Sequence, residues 1–83
     1  MNSEYVVFDT ETTGFNATAG DQMIEIGAVK IKNGTITDRF DELINPGFKL
    51  KEWTTIFTNI TDEMLEDKDD EETVVKRFKE WIG

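Results

Sequence analysis

The spacing of apolar and polar positions divides the chain into three strands, an irregular stretch and a closing helix. Tyr5-Val6-Val7-Phe8 is β-branched and aromatic with no polar position inside it. Such a run suits a strand buried on both faces, as in the middle of a parallel sheet, and Thr12-Thr13-Gly14 stops it. After a polar loop through Asp21, the segment Ile24 to Ile31 begins as an alternating strand. Its register changes around Gly27, which predicts a bulge or a close backbone contact there. Asn33-Gly34 follows, the dipeptide most favoured in two-residue type I′ hairpins because both central residues need positive φ. A third strand, about Thr35 to Ile44, then pairs antiparallel with the second and ends at Asn45-Pro46-Gly47.

Residues 48–61 read as irregular, with Trp53, Ile56, Phe57 and Ile60 as apolar anchors. Thr61 is placed to cap a short helical turn carrying Met64 and Leu65. The clearest helix runs from about Asp70 to Ile82: Val74, Val75, Phe78, Trp81 and Ile82 share one stripe, read as core. Acids fill its first turn and Lys76, Arg77 and Lys79 lie toward its end, as the macrodipole favours. Asp69 and Glu72 have capping-box spacing, with aspartate in place of serine or threonine, and Gly83 is where the helix can stop. The order β, β, β, α forms one unit without repeats or linkers, yet it reads as a piece of a larger α/β domain. A strand apolar on both faces wants neighbours on both sides, and here the first strand keeps an open hydrophobic edge.

Composition narrows the chemistry. The 83 residues contain no cysteine and no histidine, and 18 acids against 9 bases give a net charge of -9. Without cysteine there is no disulfide or thiolate metal site, which suits a reducing compartment. Without histidine no imidazole in this chain serves as base or ligand. The longest apolar run, Tyr5 to Phe8, is far too short for a membrane span or the core of a signal peptide, so the expectation is a soluble, cytoplasmic protein with no membrane partner. The negative charge argues against ordinary phosphate-neutralising binding. Much of it, however, is concentrated between Asp62 and Glu72, where eight acids accompany one lysine.

Asp9 and Glu11 are two apart at the end of the first strand, so alternation sends both side chains to one face and Thr10 to the other. Paired carboxylates there can hold hard divalent cations through oxygen ligands, whereas unshielded they repel. Two such ions about 3.5–4 Å apart can clamp the attacking water and the leaving oxygen of a phosphodiester. Alone, an acid-x-acid at a strand end is far more often two solvated charges leading into a turn.

The hexapeptide Asp9-Thr10-Glu11-Thr12-Thr13-Gly14 does not stand alone. It is followed by Ile24-Glu25-Ile26-Gly27-Ala28-Val29, then Asn45-Pro46, then Asn59-Ile60-Thr61-Asp62-Glu63-Met64-Leu65. In content, order and spacing these segments resemble the first half of a DEDD-family (DnaQ-like) 3′–5′ exonuclease, and within it most the proofreading domains of PolC-type DNA polymerase III and next a separate proofreading subunit or a stand-alone DnaQ-like exonuclease. The resemblance runs from Tyr5 to Gly83. It implies an α/β, partial RNase H-like fold: a three-stranded sheet followed by one amphipathic helix, with the remaining strands and helices absent, so that residues 1–83 form the N-terminal part of a single exonuclease domain. It implies two divalent cations, Mg²⁺ or Mn²⁺, with Asp9 bridging both and Glu11 binding one. It also implies that groups around Thr10, Thr12 and Thr13 hold the terminal nucleotide and its 3′-hydroxyl, and that the segment around Trp53 and Thr54 lies near the last base. Trp53 is then either a stacking platform or a core anchor. The implied partners are a single-stranded DNA 3′ end and the polymerase part of the same chain or a replicative polymerase subunit.

The family's catalytic set holds four acids and a histidine or tyrosine, and this chain carries the first motif's two acids alone. With no histidine, and Tyr5 in the first strand its one tyrosine, the base and the other two acids are expected beyond Gly83 and the isolated chain is expected to be inactive. Glu25, in the second strand close to the first, is a conceivable third ligand but reads rather as a position behind the ligands or at the sheet edge. The stretch Asp67 to Glu72 reads as a solvated helix start, because a calcium loop needs glycine where Glu72 stands. The triplets Asn16-Ala17-Thr18, Asn33-Gly34-Thr35 and Asn59-Ile60-Thr61 read as turn chemistry rather than glycosylation sites. Two competing readings remain: an RNA-directed exonuclease with the same chemistry, and a non-catalytic interaction module that associates, with itself or another chain, through the open edge of the first strand.

Overall fold

The computed structural model describes residues 3–14 and 20–83; the Asn16-Ala17-Thr18 triplet lies outside them. Three strands, β1 (Glu4–Thr12), β2 (Met23–Lys32) and β3 (Thr35–Leu43), form a sheet in the order β1-β2-β3. Three helices follow, α1 (Glu52–Thr58), α2 (Asp62–Leu65) and α3 (Glu71–Ile82). Both strand pairs are antiparallel. The parallel environment expected for β1 is not found among the described residues, where its one partner, β2, runs antiparallel.

The β2–β3 turn is as read from the sequence, with Asn33 at φ 50° and Gly34 at φ 81° and Lys32 paired with Thr35. Gly27, by contrast, is regular, facing Asp9 on one side and Asp41 on the other. The irregularities fall between Glu11 and Thr12 in the first ladder and between Lys30 and Ile31 in the second. A methyl group at Gly27 would meet nothing nearer than Asp41 Oδ1 at 3.9 Å, so no close backbone contact demands the glycine.

One sheet face carries the main core. Ile26, Ala28 and Ile44 pack with Val74 and Phe78 of α3, and Phe40, Val75 and Trp81 join them. The aromatic rings interlock, with Phe78 centroids 5.5 Å from Phe8, 5.3 Å from Phe40 and 6.0 Å from Trp81. Arg77 ties α3 to the sheet and to the preceding loop, donating from Nε to both Glu42 oxygens at 3.1 Å and from Nη2 to Asp69 Oδ2 at 2.8 Å. With Asp69 so engaged, the helix is capped one residue later than the spacing suggested: Asp70 Oδ1 accepts from the Thr73 amide at 2.9 Å. The Thr73 side chain first, and then this amide bond, hold the Asp70 carboxyl below its ordinary pKa. A second, smaller core of Ile24, Leu50, Ile60 and Leu65 seats the segment between β3 and α3, and Thr61 caps α2 by accepting from the Met64 amide.

Two further expectations need correction. The segment read as irregular contains α1, which announces itself poorly: Lys51 offers no side-chain cap and three of its seven residues are threonines, which favour helices weakly. It ends where Asn59 turns left-handed at φ 61°. β1 is also not buried on both faces; Tyr5 is 61% and Phe8 58% exposed. Among the described residues β1 is paired on one side only, and its second face has no covering layer.

Candidate active site

Strand alternation and register assign the acids to one surface. Asp9 and Glu11 face the same way, opposite Gly27 and Glu25 of β2, which in turn stand opposite Asp41 and Leu43 of β3. The sheet face turned away from α3 therefore carries Asp9, Glu11, Glu25 and Asp41, with Gly27 leaving the space between Asp9 and Asp41 open. Thr10 and its neighbours of like parity point toward the α3 side.

The crowding is visible in Glu25. Its carboxyl is pushed up to about 7, first by burial, then by its hydrogen bond and repulsion with Asp41, then by the charges of Glu11 and Asp9. A carboxyl raised from 4.5 in this way stays protonated in the folded chain while the unfolded chain ionises. Stability is thus lost as pH rises from about 4.5 through about 7. Glu25→Gln removes that loss, so its thermal midpoint is expected to exceed the wild type's above pH 7 and to converge on it below pH 4.5. Melting curves across that range check the sign; a variant less stable than wild type at pH 8 contradicts it.

Beside the acids, at the end of β1, lies a notch of about 180 Å³ lined by Thr10, Glu11, Thr12, Gly14, Trp53, Phe57 and Thr58. It brings together Thr10, Thr12 and Trp53, all singled out from the sequence, with Glu11. Trp53 is not a core anchor: it is 42% exposed and meets Phe57 edge-on at 6.1 Å. Phe57, 81% exposed, is likewise not an apolar anchor. The signal for it was present in the four-residue spacing from Trp53, but only a helix turns that spacing into a shared face.

Thr13 and Thr54 are instead buried behind the notch wall. Thr54 Oγ1 donates to the Thr13 carbonyl at 3.2 Å, and Thr58 Oγ1 donates to the Thr54 carbonyl at 2.8 Å. The turn itself is tight, with Thr12 Oγ1 donating to the Gly14 carbonyl at 2.7 Å and the Thr10 amide donating to Asp9 Oδ1 at 2.9 Å.

These donors suit a hard cation in kind, since all are oxygens and their mutual repulsion, felt by Glu25, is relieved by positive charge. Among the described residues no group of three or more acids converges closely enough to hold an ion. Mg²⁺ commonly keeps several waters and takes one or two carboxylates with substrate phosphate, so the Asp9–Glu11 pair fits it.

Comparison with known proteins agrees with this geometry. A family model described as exonuclease, of the RNase T type, matches residues 6–83. The chain is 51% identical over 79 residues to the PolC-type DNA polymerase III of Staphylococcus haemolyticus, covering 95% of this chain and 5% of that protein. It is 48% identical over 83 residues to the same enzyme of Listeria welshimeri, covering 100% and 6%. It therefore spans about one-twentieth of the length of these relatives. Among solved structures, Exonuclease X in complex with 5′ overhanging duplex DNA aligns with a TM-score of 0.75 at 26% identity, over 88% of this chain and 42% of that one. The nuclease domain of 3′hExo, a DEDDh family member bound to rAMP, aligns at 0.83 and 22% identity, over 95% and 43%. With its three-stranded antiparallel sheet and packed helices matching part of those RNase H-like domains, the chain belongs to the exonuclease family.

Proposed function

We propose that this chain is the N-terminal part of a metal-dependent 3′–5′ DNA exonuclease domain of the PolC proofreading type, working in the cytoplasm on single-stranded 3′ ends. The observation that supports the reading is Glu11, which shares a face of β1 with Asp9 and is among the residues that line an aromatic-walled notch. Asp9 and Glu11 hold the cations, which when bound supply Lewis acidity to the scissile phosphate and lower the pKa of an attacking water. Thr10 and Thr12 line the place where the terminal sugar sits. The 3′-terminal base lies against Trp53 and Phe57: sites that enclose whole small ligands run to about 300–1,000 Å³, so this notch suits a base rather than a complete nucleotide. The proton acceptor and remaining acids are supplied from outside these 83 residues, and the isolated chain is inactive. The polymerase portion of the same protein is the natural partner, given the PolC-type relatives.

Trp53→Ala is expected to weaken the hold on a single-stranded 3′ end by about 5- to 150-fold, the equivalent of about 1–3 kcal/mol of stacking per base. KM measured on single-stranded oligonucleotides checks this.

The experiment for the function itself is a competition between 3′-labelled DNA and RNA oligonucleotides of one sequence, digested by the full-length protein with Mg²⁺. DNA shortened one nucleotide at a time supports the reading. Faster loss of RNA moves it to an RNA-directed enzyme, and no loss from either 3′ end removes the enzyme assignment.

The exposed Tyr5–Phe8 edge favours a second role, in strand pairing. A second copy docked antiparallel about Val6 and Val7 would set Glu4 against Asp9, like charges that destabilise directly opposed pairs. The edge is therefore better suited to further strands of the same domain than to self-association. Light scattering on the 83-residue chain distinguishes the two, since concentration-dependent dimers favour self-pairing.

A further inference from the structure

Thr54 is the one buried side chain of α1, at 1% exposure. It sits between Trp53 and the rest of a helix whose Ile56 and Phe57 face outward, so the helix has little apolar burial to fix its position. Its hydroxyl reaches across 41 positions of sequence to the Thr13 carbonyl. Thr13 is held from its other side: its amide donates to the Gln22 carbonyl at 2.8 Å, and its hydroxyl donates to Asp21 Oδ1 at 2.9 Å while accepting from the Gln22 amide at 3.0 Å. Asp21 comes in over Gly14, where any Cβ would stand 2.4–2.7 Å from its carboxyl atoms. The start of β2, the turn after Glu11 and the aromatic helix are thus linked through two buried threonines.

We propose that Thr54 is a positioning residue: through the Thr13 carbonyl it fixes the Trp53–Phe57 wall relative to the Glu11 end of β1. This rests on the exonuclease reading, in which that separation sets where the terminal base lies relative to the phosphate held at the acids. Displacements of about 1 Å at such distances can cost about 10²-fold in rate. Removing the hydroxyl leaves a buried acceptor without its donor, so the helix shifts or admits water.

The test uses the full-length protein and single-turnover removal of the last nucleotide from two substrates, one with a normal 3′-terminal base and one whose terminal residue is abasic. An abasic end has nothing to place against the aromatic wall. Thr54→Val is expected to slow the base-bearing end about tenfold while leaving the abasic end at the wild-type rate, and Thr54→Ser to restore the base-bearing rate to within about twofold. General loss of structure would slow both substrates alike. Equal slowing of both, or no slowing of either, overturns the positioning role while leaving the exonuclease reading in place. A wild-type protein that removes neither terminus overturns both.

Discussion

Replacing Asp9 with alanine is expected to lower 3′-end hydrolysis by the full-length protein by about 10³-fold or more. Cation-mediated stabilisation of charge at phosphorus is worth several kcal/mol, and each 1.36 kcal/mol is a decade in rate. Asp9 is exposed on the outer sheet face, opposite Gly27, so its loss removes no core contact and the thermal midpoint stays within a few degrees. Relief of like-charge crowding on Glu25 shifts that midpoint upward if at all. Rate and melting temperature measured on the same preparation separate chemistry from folding. Retained activity contradicts the assigned role, and loss of activity with loss of folding contradicts the assigned location.

The opposite signature belongs to Phe78→Ala. Phe78 is buried among Phe8, Phe40 and Trp81 and belongs to the cluster that joins α3 to the sheet. Truncating a core phenylalanine costs about 3–5 kcal/mol, against a total stability of about 5–15 kcal/mol for a typical domain. In a small domain this is expected to remove most of the folded population. Chemical denaturation reads the loss directly, and an unfolding free energy within about 1 kcal/mol of wild type would show that α3 is not held by this cluster.

Much of this architecture was legible because it rests on local signals. Asn33-Gly34 demands positive φ twice, and the α3 stripe repeats with helical period. Asp9 and Glu11 share a face by alternation alone. What escaped the sequence depends on contacts between distant segments. Capping by Asp70 rather than Asp69 follows from Arg77 having drawn Asp69 away. The exposure of Tyr5 and Phe8 reflects which layers are present, which no strand can state about itself. Helix α1 carries Trp53, Ile56 and Phe57 at helical spacing, but that stripe is exposed and the helix's one buried residue is a threonine, so the short run lacks the packed apolar face and the cap by which α3 is recognised. The grouping of Glu25 and Asp41 with the acid pair needed the register of two ladders, and nothing in the spacing of four acids on three strands discloses it.

The most direct measurement is anomalous diffraction from crystals of the full-length protein grown with Mn²⁺ and a short single-stranded oligonucleotide. The account predicts manganese on the carboxylates of Asp9 and Glu11, with the 3′-terminal base against Trp53 and Phe57. Manganese bound away from both carboxylates, with the 3′ end seated elsewhere, would contradict it.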